Sequence, residues 1–178
     1  MKNGLVLVVF LLLLSAFAVS AEGLTLGRTN SVPTVDGVVG EGEYALTADS
    51  GTIKLSLSWV GDTLSVAVSG QTAGWVAVGF GSSKMNDALM YLGAADDGGG
   101  QLTVQKGKGH GHADLAGSAP TKYLVKESGG QTVLELTLPA SAVIDGQDTL
   151  NVIYAMGSAK AFTTMHKSRF AAAVALQK

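Results

Sequence analysis

Cysteine is absent from the 178 residues. That removes disulfides, thiolate metal sites, iron–sulfur clusters, a cysteine nucleophile and thioether-attached c-type haem. Histidine is scarce: His110, His112 and His166 are the whole supply of imidazole. Charged residues make up 15% of the chain, 12 basic against 14 acidic, for a net charge of −2. Nothing in that balance points to a polycationic surface for nucleic acid. Aromatic residues are 6%, few for a surface built on stacking. What the chain does have is 47% apolar residues and 24 glycines, enough for the core of one domain.

The N-terminus reads as a leader. Lys2 precedes an unbroken apolar run from Leu5 to Leu14, and Val19-Ser20-Ala21 offers small residues where a signal peptidase cuts. The expected organisation is a signal peptide over 1–21 and a single domain over 22–178, secreted or periplasmic. A lipoprotein would need a cysteine at the cut. An exported chain without disulfides must hold together by core burial and by whatever ligand it carries.

Beyond the leader the hydrophobic period is two. Ile53, Leu55, Leu57 and Trp59 alternate with Lys54, Ser56 and Ser58, as in a half-buried strand. Gly61-Asp62 then turns the chain into a second alternating run, Leu64, Val66 and Val68, completing a hairpin. Gly74–Phe80 (GWVAVGF) is apolar or glycine on both faces, the pattern of a central strand covered on both sides or approached by a ligand. Further strands are expected at Ala88–Ala95, Leu102–Lys106, Lys122–Lys126, Thr132–Leu138, Leu150–Met156 and Phe170–Leu176. Pro139 to Val143 can form one helical turn. The fold class is therefore all-β, an antiparallel immunoglobulin-like sandwich of about nine to ten strands.

Little of the familiar catalytic chemistry is present. There is no GxSxG elbow, Asp96-Asp97 reads as a solvated Gly-rich turn, and no pair of carboxylates stands out. His110-Gly111-His112 lies in an irregular Gly-rich segment, where the two rings can face a copper or zinc ion or simply solvent. Met85 is odder, a large thioether in the polar run Gly81-Ser82-Ser83-Lys84-Met85-Asn86-Asp87. His166 lies in a similar polar stretch between two strands.

These features together resemble the DOMON domain, in particular its haem b-binding cytochrome branch, found in cellobiose dehydrogenase. The resemblance rests on Val35-Asp36-Gly37-Val38-Val39-Gly40-Glu41-Gly42-Glu43-Tyr44, on Trp59 and its hairpin, on GWVAVGFGSSKMNDALMYLG from Gly74 to Gly93, and on the loop holding His166. It implies a non-covalent haem b with Met85 and His166 as axial iron ligands, placed against the apolar inner face of strands such as Gly74–Phe80. Trp75, Lys84 and Arg169 complete the residues expected around the cofactor; Lys84, Lys167 and Arg169 flank the ligands and suit propionates or plain solvent equally. Met90 and Met165 are the other nearby thioethers, Met90 reading as core and Met165 as too close to the imidazole to reach the opposite haem face. The implied function is one-electron transfer to an exported or membrane-bound redox partner, not catalysis. Two other readings stay open. One is a module that holds a sugar or similar ligand on Trp59, Trp75 or Tyr91; the other is a copper site built from His110, His112 and a methionine.

Overall fold

The computed structural model describes residues 23–96, 99–109 and 111–178. The leader, Asp97 of the acidic turn and His110 lie outside the described residues. In chain order the strands are β1 (Thr25–Gly27), β2 (Leu46–Asp49), β3 (Ile53–Val60), β4 (Thr63–Gly70), β5 (Val76–Phe80) and β6 (Leu89–Asp96). They continue with β7 (Gly99–Lys108), β8 (Gly111–Asp114), β9 (Lys122–Ser128), β10 (Gln131–Pro139), β11 (Thr149–Gly157) and β12 (His166–Gln177). A single 3-10 turn at Ala140–Ala142 follows Pro139, where the helical turn is expected.

Two sheets face each other. One has seven strands in the order β1-β12-β11-β5-β6-β7-β8, the other five in the order β2-β3-β4-β10-β9. Every pairing is antiparallel except β1 with β12. All nine strands read from the sequence are present. The additional ones, β1, β2 and β8, span three or four residues each, too short for alternation to register.

Between the sheets the alternation does what it predicts. Leu55, Leu57, Leu64, Val66, Val68, Leu134 and Leu136 of the five-stranded sheet meet Val76, Val78, Phe80, Tyr91, Val152 and Tyr154 of the other. Each such side chain contributes about 1.5–3 kcal/mol when fully buried. Phe80 and Tyr91 pack edge to face with ring centroids 6.3 Å apart. Trp59 belongs to this core, with the Arg28 guanidinium 4.2 Å above its ring.

The half-buried reading of β3 needs correction, because its polar face is covered too. Ser56, Ser58 and Ser65 are buried beneath the segment that runs from Pro33 into β2. The Ala45 amide donates to Ser58 Oγ at 2.8 Å, and the Thr47 and Ser56 hydroxyls are 2.9 Å apart. At the centre of this cover sits Glu135, fully buried. Its carboxylate accepts from Tyr44 Oη at 2.8 Å, from the Asp36 amide at 3.0 Å and from the Gly37 amide at 2.6 Å. Gly37 has φ +80°, and a β-carbon there would lie 2.6 Å from Lys126 Cδ. Only glycine fits that position on both counts.

Burial has a consequence at alkaline pH. It pushes the Tyr91 phenol from 10.0 up to about 12, and burial together with Glu135 moves Tyr44 up as well. The folded state keeps protons that the unfolded chain releases above pH 10, so stability falls as pH rises from 10 toward 12. Tyr91 alone accounts for about 2 kcal/mol of that loss. Urea unfolding midpoints measured across this window should drop, and Tyr91→Phe should flatten the trend.

Candidate functional site

The seven-stranded sheet has a second apolar face, turned away from the core. Trp75, Ala77, Ala88, Met90, Leu92 and Ala94 form a separate buried cluster there, with Met85, Ile153, Ala155 and Phe162 packed against it. Directly opposed residues on antiparallel strands point to the same side. Register therefore lays out the face in rows: Ala171, Ile153, Gly79 and Met90 in one, Arg169, Ala155, Ala77 and Leu92 in the next. A β-carbon on Gly79 would lie 2.8 Å from Ile153 Cγ1 and 2.9 Å from Met90 Cγ, so the glycine lets these two side chains close over it. The result is an apolar floor, Ile153, Met90 and Leu92 beside the smaller Ala77, Ala155 and Ala171, under an open cleft of about 930 Å³, near the upper end of the ~300–1,000 Å³ common for cofactor sites.

Met85 and His166 both line this cleft. Neither faces the inner side of β5, as the sequence reading had it. Val76, Val78 and Phe80 are packed into the core on that side and leave no room. Ala77 and Gly79, one residue out of phase, face the cleft instead. Both side chains stand over the outer face of the sandwich.

The Met85 loop is held down from beneath. The Asp87 amide donates to Gly107 O at 3.0 Å, the Gly107 amide to Ala88 O at 3.0 Å, and the Gly109 amide to Asn86 Oδ1 at 2.6 Å. Asp87 adopts φ +64°, a left-handed conformation that aspartate tolerates better than most residues. Gly107 is essential to this docking: a β-carbon would overlap the Met85 carbonyl oxygen and lie 2.6 Å from its carbon.

His166 is the first residue of β12 and not part of the preceding loop. The register shifts at this point, with Met156 opposite Ser168 but Gly157 opposite His166, so Lys167 is an extra residue in β12. Such a bulge inverts the facing of everything before it. His166 and Arg169, three residues apart, consequently share the outer face, and both line the cleft; Lys167 does not. Lys84 lines it from the Met85 loop.

Trp75 has a positioning role. Its indole Nε1–H donates to Thr164 Oγ1 at 3.0 Å, and its amide to Ala159 O at 3.0 Å. A β-carbon at Gly157 would overlap the indole, so the ring lies flat on that glycine. Trp75 thereby pins the 158–165 connection that leads into His166. Met165 beside it is 83% exposed, while Met90 is buried in the floor.

The histidine pair is only partly described. His112 sits on β8, opposite Gly107, where the sequence suggested an irregular segment, and it too lines the cleft. Asp114, two residues on, accepts from Gln105 and Thr103. These bonds, with a smaller contribution from His112, hold its carboxyl below the usual range. Among the described residues no three of His, Asp and Glu converge as metal ligands. Trp59, Trp75 and Tyr91, the stacking candidates, are 4%, 5% and 1% exposed, so none offers an open platform.

The chain belongs to the DOMON domain family, whose model matches residues 49–157. Among curated proteins none matches the sequence. Solved structures with a similar fold include the cytochrome b domain of pyranose dehydrogenase from Coprinopsis cinerea, 13% identical, covering 68% of this chain and 75% of that one at a TM-score of 0.52. The cytochrome domain of Myriococcum thermophilum cellobiose dehydrogenase is 9% identical, covering 84% and 90% at 0.55. A family 9 carbohydrate binding module from Caldicellulosiruptor kristjanssonii, solved with cellotriose, is 12% identical, covering 88% and 94% at 0.56. At these identities the likeness concerns the fold. Among the described residues no helix is long and apolar enough to cross a membrane.

Proposed function

We propose that this protein is an exported one-electron carrier that holds haem b non-covalently in the outer-face cleft, with Met85 and His166 as the axial ligands. One observation carries the reading. A thioether and an imidazole, distant in sequence and each placed by dedicated backbone contacts, line the same cleft over an apolar floor. The donor set and the floor fit a porphyrin. Bound there, haem b supplies an Fe(III)/Fe(II) couple whose potential thioether ligation raises. The side chains do the rest: Ala77, Leu92, Ile153 and Ala155 make the cleft floor apolar, Trp75 positions the His166 approach, and Lys84 and Arg169 supply cations for propionates. If Met85 and His166 both hold the iron, no position is left for a substrate, and the protein would pass electrons and leave catalysis to a redox partner, met through a small transient interface.

Absorption spectra of haem-reconstituted protein test this. The wild type should give a low-spin spectrum with sharp α and β bands on reduction. Met85→Ala should lose the near-infrared sulfur-to-iron band and fall in reduction potential, and His166→Ala should lose the low-spin spectrum. Spectra unchanged in either variant would sink the ligand assignment.

The competing reading is a sugar-binding module without a redox centre. It draws on a second cleft, about 660 Å³, on the outer face of the five-stranded sheet, where Thr47, Lys54, Ser56, Ser69 and Gln131 offer polar groups. A colourless protein after reconstitution that is retained on a polysaccharide would favour it.

A further inference from the structure

The haem reading leaves His112 without a role, yet the structure puts it beside one of the two ligands. His112 is directly opposite Gly107 on the β7–β8 hairpin, so its side chain leaves the sheet on the side toward which a Gly107 β-carbon would point. That direction leads to the backbone of Met85, whose carbonyl would collide with such a β-carbon. Three hydrogen bonds donated by the amides of Asp87, Gly107 and Gly109, the last to the Asn86 side chain, clamp the Met85 loop to the same hairpin. Met85 and His112 therefore share one wall of the cleft. His166 approaches from β12, across β11, β5 and β6. The imidazole of His112 is exposed and makes no hydrogen bond among the described residues.

We infer that His112 is a second axial donor on the Met85 wall, competing with the thioether for the coordination position opposite His166. This rests on the haem reading above and extends it: the cleft offers two ligand sets, imidazole with thioether and imidazole with imidazole. The first gives the higher potential, because thioether ligation favours the reduced iron. The exchange moves no electron and breaks no covalent bond within the protein. It needs only that the Met85 sulfur withdraw and the His112 ring turn inward from the neighbouring strand.

Four haem-reconstituted proteins decide it: wild type, Met85→Ala, His112→Ala, and the double variant. Absorption and electron paramagnetic resonance spectra would be recorded in each. Met85→Ala should lose the sulfur-to-iron band but stay six-coordinate and low-spin, with the resonance pattern of two imidazoles. The double variant should turn high-spin and regain a low-spin spectrum when free imidazole is added, which shows that haem and fold are intact. His112→Ala should keep the thioether band. A Met85→Ala protein that is high-spin and indistinguishable from the double variant would overturn the inference while leaving the Met85–His166 assignment standing. A wild-type protein that takes up no haem would overturn the haem reading itself and the inference with it.

Discussion

Glu135→Ala is expected to lower the unfolding free energy by about 3–5 kcal/mol, read from urea denaturation. The carboxylate is fully buried, and three donors converge on it: the Tyr44 hydroxyl and the amides of Asp36 and Gly37. Truncation leaves all three without a partner in a space that water does not reach, at a cost of about 1–3 kcal/mol each with incomplete additivity. Glu135→Gln keeps an acceptor oxygen for the backbone amides but loses charge assistance. It should fall between wild type and Glu135→Ala. Tyr44→Phe removes a single bond and should cost about 1–2 kcal/mol. Equal stability of Glu135→Ala and wild type would mean that the N-terminal cover is not held from below as described.

If Met85 holds haem iron as proposed, Gly107→Ala is expected to abolish that ligation while leaving the sandwich folded. The added methyl would land on the Met85 carbonyl, which cannot yield without breaking the bonds that join residues 87 and 88 to β7. Overpacking of this kind costs about 1–3 kcal/mol, less than a domain of this size holds in reserve. The loss should therefore appear in the cofactor spectrum, as disappearance of the sulfur-to-iron band, before it appears as unfolding. Gly129→Ala, in the turn between β9 and β10, is a suitable control. Its φ of +61° strains a side chain, but its β-carbon would meet no atom within 4 Å.

Much of this architecture was legible before any coordinates. Alternation along Ile53–Val60 and Leu64–Ser69 defines a hairpin because each apolar residue has a core to enter. The GWVAVGF run states that β5 is covered on both faces. It does not state which face is core and which is cleft, since valine and alanine read alike in a hydrophobic pattern. For that reason the sequence reading turned Met85 and His166 toward the inner side of β5, whereas the cleft they line is on the outer face. The start of β12 was hidden by its bulge: Met165-His166-Lys167-Ser168 has no period of two when Lys167 is an extra residue. Glu135 was missed because it occupies the polar phase of β10, between Leu134 and Leu136, where a charged residue normally meets solvent. Its partners lie more than ninety positions away, and nothing local signals them. The placement of His112 beside Met85 likewise depends on hairpin register, which four exposed residues of β8 do not announce.

β5 acts as a party wall. The side chains of Val76, Val78 and Phe80 belong to the interior that keeps the chain folded, while Ala77 packs in the separate outer cluster and Gly79 lines the cleft. Residues on the cleft side are thus free to change without disturbing the interior, whose side chains lie on the other phase of the strand. A fold partitioned in this way can keep its sandwich while the outer face is refitted for another ligand.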